Sequence, residues 1–199
     1  MKFSLAIALA MLSMSLAARA DEPKSSLPPE LKWVPANAVG FVHVRFAHLW
    51  DSPAGNAVRT YLGAAAPEAT ERIERGLGVP LANVETITAV VPDVEAGGLR
   101  DLDVVLRVVT REPYDRAKLV EALGLIDRPD RPLGAGGSKR LFTTGREEYI
   151  HLTNARTITF FFGGGPAGLA SLLLDGEPSG QLSPALEAAA RGDHLVAAV

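Results

Sequence analysis

The hydrophobic pattern changes period several times along this chain, and each change marks an element. From Val39 to Phe46, Val42, Val44 and Phe46 alternate with Phe41, His43 and Arg45, the period of two that a half-buried strand shows. Ser52-Pro53 then offers an N-cap followed by proline at the first helical position, and Ala54, Val58, Tyr61 and Leu62 recur at helical spacing. A second helix is expected from Pro67, with Ala69, Ile73 and Leu77 as its apolar stripe. Glu68–Arg72 and Glu71–Arg75 lie four apart on its surface, and Gly78 and Pro80 stop it. Period two returns from Val84 to Val91 and from Asp103 to Val109, around the turn-forming "PDVEAGGLRD".

"EPYDRAKLVEALG" predicts the next helix, with Leu119, Val120 and Leu123 inward and Gly124 at its end. The Pro/Gly-rich stretch from Asp127 to Gly137 reads as a loop leading into a strand at "KRLFTT". The succession β-α-β-β-α-β predicts an α+β fold, an antiparallel sheet of ferredoxin-like order with helices mainly on one face. Hairpin strands at "EEYIHLT" and "RTITFFF" extend it, and "SPALEAAARG" and "DHLVAAV" predict a closing helix and strand. In Phe160-Phe161-Phe162, alternation sends Phe161 opposite to its neighbours, so that strand is either buried on both faces or exposes an aromatic.

The N-terminus follows another rule. "MKFSLAIALAMLSMSLAARA" joins a basic start to a short apolar run and ends in Ala18-Arg19-Ala20, so residues 1–20 are expected to be a secretory signal peptide. Residues 21–33, polar and punctuated by proline, read as a flexible lead-in, and residues 34–199 as a single α+β domain. The chain has no cysteine, so an exported product relies on packing and lacks the thiol a diacylglyceryl anchor requires. The formal charge of −3 becomes −5 once Lys2 and Arg19 leave with the signal. With no run of either sign, nucleic acid is not an expected partner. No later segment reaches the roughly 20 apolar residues of a membrane span.

Four segments, "LPPELKWVPANAVGFVHVRFAHLWDSP", "GLGVPLANVETITAVVP", "LRVVTREPYDRAKLVEALG" and "ARTITFFFGGGPAGLASLL", together resemble a group of uncharacterised exported bacterial proteins of planctomycete type. The group is similar in layout to a periplasmic domain of unknown function. The resemblance covers nearly all of residues 21–199. It implies export and an α+β layout and brings no catalytic motif or ligand. It also implies a longer protein whose second half opens on a strand like the first. "RGDHLVAAV" reads as such an opening, so the chain is expected to be a half-length or truncated member, its last strand without a partner and prone to self-association.

Candidate chemistry is sparse. His43 and His151 are each mid-strand, and with Arg45, Tyr149 and Phe41 they are expected on one open sheet face. Solvated or hydrogen-bonded histidines are the default there, and a metal-dependent or hydrolytic site at His43, Arg45 and His151 is the alternative. Gly163-x-Gly165-x-x-Gly168 matches the dinucleotide fingerprint literally and follows a strand. The helix after it is short, and no acidic residue closes a following strand, so a glycine turn is the default and a small-ligand site the alternative. "GAGGSKR" lacks phosphate-loop spacing, and no serine sits in a G-x-S-x-G turn. The pairs Asp101/Asp103 and Glu147/Glu148 are adjacent by sequence only.

The chain therefore reads as an exported, non-catalytic envelope or periplasmic protein that needs no cofactor. Its sheet face or helical edge is expected to bind a protein partner, a second copy included.

Overall fold

The computed structural model describes residues 31–35, 38–92, 104–133, 139–144, 148–163, 183–190 and 195–198. One antiparallel sheet of eight strands organises them: β1 (Gly40–Val44), β2 (Val84–Val91), β3 (Val104–Thr110), β4 (Ile126–Leu133), β5 (Lys139–Thr143), β6 (Glu148–Asn154), β7 (Thr157–Phe162) and β8 (Leu195–Ala198). Their order across the sheet is β4-β5-β6-β7-β3-β2-β1-β8. The helices are α1 (Phe46–Asp51), α2 (Pro53–Ala65), α3 (Pro67–Leu77), α4 (Arg116–Ala122) and α5 (Ser183–Ala190). The fold is α+β.

The layout departs from ferredoxin-like order, because β1 and β2, the first helix-linked pair, are antiparallel neighbours. A single crossover helix would return the chain for a parallel strand. Here the connection runs through α1, α2 and α3, and it brings the chain back to the end of the sheet it left. Ser52 starts α2 as the cap read from the sequence: its Oγ accepts the Gly55 N–H at 3.0 Å and donates to Leu49 O at 2.6 Å. Gly78, at φ +71°, closes α3. The six-residue α1 escapes the sequence pattern, because one and a half turns show no period.

The stretch from Asp127 is not a loop up to Gly137: it forms β4, paired with β5 at the sheet's edge. Pro129 and Pro132 cannot donate to a ladder, and an edge strand with a register shift between Arg128 and Leu133 tolerates them. β8 pairs with β1, so the last strand has a neighbour.

Both faces of the sheet are covered, which corrects the expectation of an open face carrying His43 and His151. On one side α1, α4 and the 3-10 turn Leu81–Asn83 close over Val108, Phe142, Ile150, Ile158 and Phe160, with Leu119 fully enclosed. A register shift between Val84 and Thr86 lets Val84 join this layer. On the other side Leu31, Trp33, Val34 and Ala38, with Leu186 and Ala189 of α5, cover Phe41, Val90, Val105, Leu141 and Phe161. Leu31 and Trp33 thus belong to the core, and the domain starts before Val34. The second layer also resolves the phenylalanine run: Phe160 and Phe161 are both buried, in opposite layers.

Residues 1–20, expected to be a signal peptide, the stretch from 21 to 30, Asp101, Asp103, the glycines of "GAGGSKR", Glu147, and the fingerprint beyond Gly163 lie outside the described residues. Among those described, no helix is long and apolar enough to cross a membrane.

Candidate functional site

The site begins as a line of cross-strand neighbours. Val196 faces His43, which faces Thr88, which faces Arg107; Arg107 faces Thr159, then come His151, Leu141 and Arg128. One row of side chains therefore crosses all eight strands on one face. The next row is apolar except for Thr143: Ala198, Phe41, Val90, Val105, Phe161, Tyr149, Thr143 and Ile126. The apolar row lies under the layer of Leu31, Val34 and Leu186, and the polar row runs along its border.

His43 is not the surface residue expected of an open face. It is 1% exposed, and its Nδ1 lies 2.8 Å from Thr88 Oγ1, because the second layer covers this side of β1. His151 is also buried, and Thr159 between Arg107 and His151 is fully enclosed, its Oγ1 3.2 Å from Thr153 Oγ1. Sharing a row does not bring the histidines together. Four strand spacings separate them, roughly 19 Å at ~4.8 Å each, while two imidazoles on one zinc need bonds of about 2 Å from each. Arg45 is half-buried at the junction of β1 and α1, where its carbonyl accepts the Leu49 N–H at 3.2 Å. Among the described residues no group of three or more His, Asp or Glu side chains converges as a metal site requires.

The residue sequence reasoning passed over is Arg107. It stands at the middle of the row with its guanidinium carbon 4.1 Å from the centroid of the Trp33 ring. Burial lowers its pKa to about 10, which still leaves it charged at neutral pH. Among the described residues no carboxylate bridges it, whereas Arg111 reaches Asp51 at 2.6 Å and Arg156 pairs with Glu85. Its Nε, the Trp33 Nε1 and the Thr86 Oγ1 are all buried without a hydrogen-bond partner. The available signal was an arginine at an inward position of the otherwise apolar β3 run "VVLRVV".

A second feature lies away from the sheet. α2 packs on α1 and α3, and α3 on α2 and the 3-10 turn, so the pair forms an arm. Val58 and Tyr61 on α2 and Ile73 on α3 are exposed, Tyr61 by 69%. Glu68 and Arg72, 3.8 Å apart, form a surface pair on α3.

No family model and no curated protein matches this chain. Among solved structures it is similar to two crystal forms of TP0453, a Treponema protein. Form III aligns with a TM-score of 0.53 at 12% identity, covering 87% of this chain and 64% of that one. Form IV gives 0.52 at 12%, with 86% and 64% covered. This chain thus spans just under two thirds of the TP0453 chain. At that identity the likeness is one of fold.

Proposed function

We propose that this protein is an exported, non-catalytic interaction module of the envelope or periplasm, and that it engages a second copy of itself through the α2–α3 arm. The observation that carries the reading is the exposure of Val58, Tyr61 and Ile73 on helices that leave the sheet. Large apolar side chains in helical register on a surface favour a partner face over water. The covered sheet weakens the other face considered for a partner, since neither side of it is an open platform. Export rests on the N-terminal pattern of residues 1–20. The likeness to planctomycete-type exported proteins, carried by the four segments quoted above, agrees with it.

A metal-dependent or hydrolytic reading has less support, because His43 and His151 are too far apart to act on one ion or one bond. The Gly163–Gly168 reading keeps one described residue, Gly163, whose φ of +95° suits a chain reversal.

Light scattering across a dilution series tests the reading. The expected result is a concentration-dependent dimer, converted to monomer by Tyr61→Glu combined with Ile73→Glu, with the circular dichroism of the fold retained. A wild-type protein that stays monomeric at every concentration overturns it.

A further inference from the structure

Three of the four buried side-chain atoms without a hydrogen-bond partner among the described residues lie on one face of the sheet. They are Trp33 Nε1, Arg107 Nε and Thr86 Oγ1. Trp33 stacks on the Arg107 guanidinium, and Thr86 is the diagonal neighbour of Arg107 across the β2–β3 pair, where Thr88 faces Arg107 and Thr86 faces Val109. The indole and guanidinium nitrogens are donors only, and the hydroxyl donates as readily as it accepts. Such a cluster holds more donors than its single hydroxyl can satisfy as an acceptor, and buried polar groups left without partners cost free energy that a bound acceptor recovers.

Among the described residues the neighbouring threonine hydroxyls do not supply that acceptor. Thr88 Oγ1 is engaged by His43 and Thr159 Oγ1 by Thr153, and no carboxylate bridges Arg107 among the described residues. The guanidinium carbon lies over the Trp33 ring at 4.1 Å, and the in-plane N–H groups of a guanidinium are the edge that grips a planar carboxylate through two parallel hydrogen bonds. We propose that the Trp33–Arg107–Thr86 cluster is a binding site for a small carboxylate anion, with Arg107 as the charged hook and the Trp33 and Thr86 donors beside it. The lowered pKa of Arg107 agrees: a desolvated cation bridged by no carboxylate among the described residues is the state that an arriving anion relieves. The apolar row of Phe41, Val90, Val105 and Phe161 is already filled by Leu31, Val34 and Leu186, which limits the ligand to a compact body. This site is independent of the arm, and neither result bears on the other.

The chain has two tryptophans, so two indole N–H signals report on it. Trp50→Phe assigns them, leaving Trp33 alone. Sodium acetate and sodium benzoate, titrated at constant ionic strength with sodium phosphate as the comparison, should move the Trp33 signal saturably and leave Trp50 in place. Arg107→Met should abolish the response, and Arg107→Lys should weaken it by roughly tenfold or more, because an ammonium neither forks nor stacks. Thr86→Val should weaken it severalfold; it and Arg107→Lys carry the test if Arg107→Met fails to fold. No saturable shift with either carboxylate, an undiminished shift in folded Arg107→Met, or a stronger response to phosphate overturns the assignment.

Discussion

Nδ1 of His43 and Oγ1 of Thr88 lie 2.8 Å apart, on adjacent strands at the same level of the sheet and with both side chains almost wholly buried. A histidine placed by alternation on the outer face of an edge-side strand is thereby made part of a covered interior. The bond replaces water for two groups that the layer of Leu31, Trp33, Val34, Ala38 and α5 takes away from it.

Removing the hydroxyl while keeping the shape isolates that bond. Thr88→Val removes this bond from a buried histidine, and the expected cost is about 1–3 kcal/mol. Thr88→Ser retains the oxygen and loses only a methyl, for about 1 kcal/mol. Urea denaturation of both variants checks the order. A valine variant as stable as the serine one would show that the hydroxyl contributes nothing there.

Two glycines of α2 should respond in opposite directions to the same substitution. A Cβ on Gly55 would stand 2.0 Å from Leu49 O and 2.6 Å from Trp50 O, both backbone atoms, so the α1–α2 corner must open to admit it. Gly55→Ala is expected to destabilise by about 1–3 kcal/mol. Gly63 has no atom within 4 Å of the same position, and Gly63→Ala should stabilise by about 0.5–1 kcal/mol through helix propensity. Thermal melts of the two single variants measure both signs, and a shared sign would contradict the account.

What the sequence disclosed and what it concealed divide along physical lines. The caps and stops were legible because they are local: Ser52-Pro53, Pro67 and Gly78 act within one turn of chain. The long strands β2, β3, β6 and β7 were legible from alternation and from paired turns. The order of the sheet was not, because it depends on where the three helices between β1 and β2 return the chain, a tertiary outcome with no period of its own. β4 was hidden by Pro129 and Pro132, which exclude a central strand and permit an edge. The covered face was hidden because "LKWV" is too short to show periodicity, although it contributes Leu31, Trp33 and Val34 to the core. That omission made His43 read as solvated and left Arg107 unnoticed, since a half-buried cation is conspicuous only once its cover is known.

Gly78 and Gly124 flank the same helix-side core with the same handedness of backbone, φ +71° and +59°. The surroundings differ. A Cβ at Gly124 meets nothing within 4 Å, so Gly124→Ala costs only the left-handed backbone, about 1–2 kcal/mol. At Gly78 it would also lie 2.4 Å from Leu119 Cδ1 and 2.9 Å from Leu123 Cγ. Because Leu119 is itself enclosed, Gly78→Ala is expected to cost about 2–4 kcal/mol. Guanidinium denaturation ranks the pair, and equal losses would mean that α4 yields freely to the intruding methyl.

The phenol of Tyr114 fastens the entry to α4 onto the β6–β7 turn, donating to Asn154 O at 2.5 Å while its own backbone N–H donates to Ala155 O at 3.0 Å. At neutral pH, Tyr114→Phe should cost about 1 kcal/mol, the ordinary net worth of one such bond. The pH dependence carries more information. Burial raises the Tyr114 pKa above its ordinary value of 10.0, with the nearby Arg116 opposing in part. The folded state therefore holds the proton at pH values where the unfolded chain has released it, and between those two values stability falls as pH rises. The contribution of Tyr114 is complete below pH 10.0 and is lost as the pH climbs through the folded value. The stability gap between wild type and Tyr114→Phe should accordingly stay constant from neutrality to about pH 9 and narrow above 10. Comparing the two proteins point by point removes the lysines and the other tyrosines, which titrate in both. A gap that widens above pH 10 would reverse the sign of the argument and place the phenolate, not the phenol, in the favourable site.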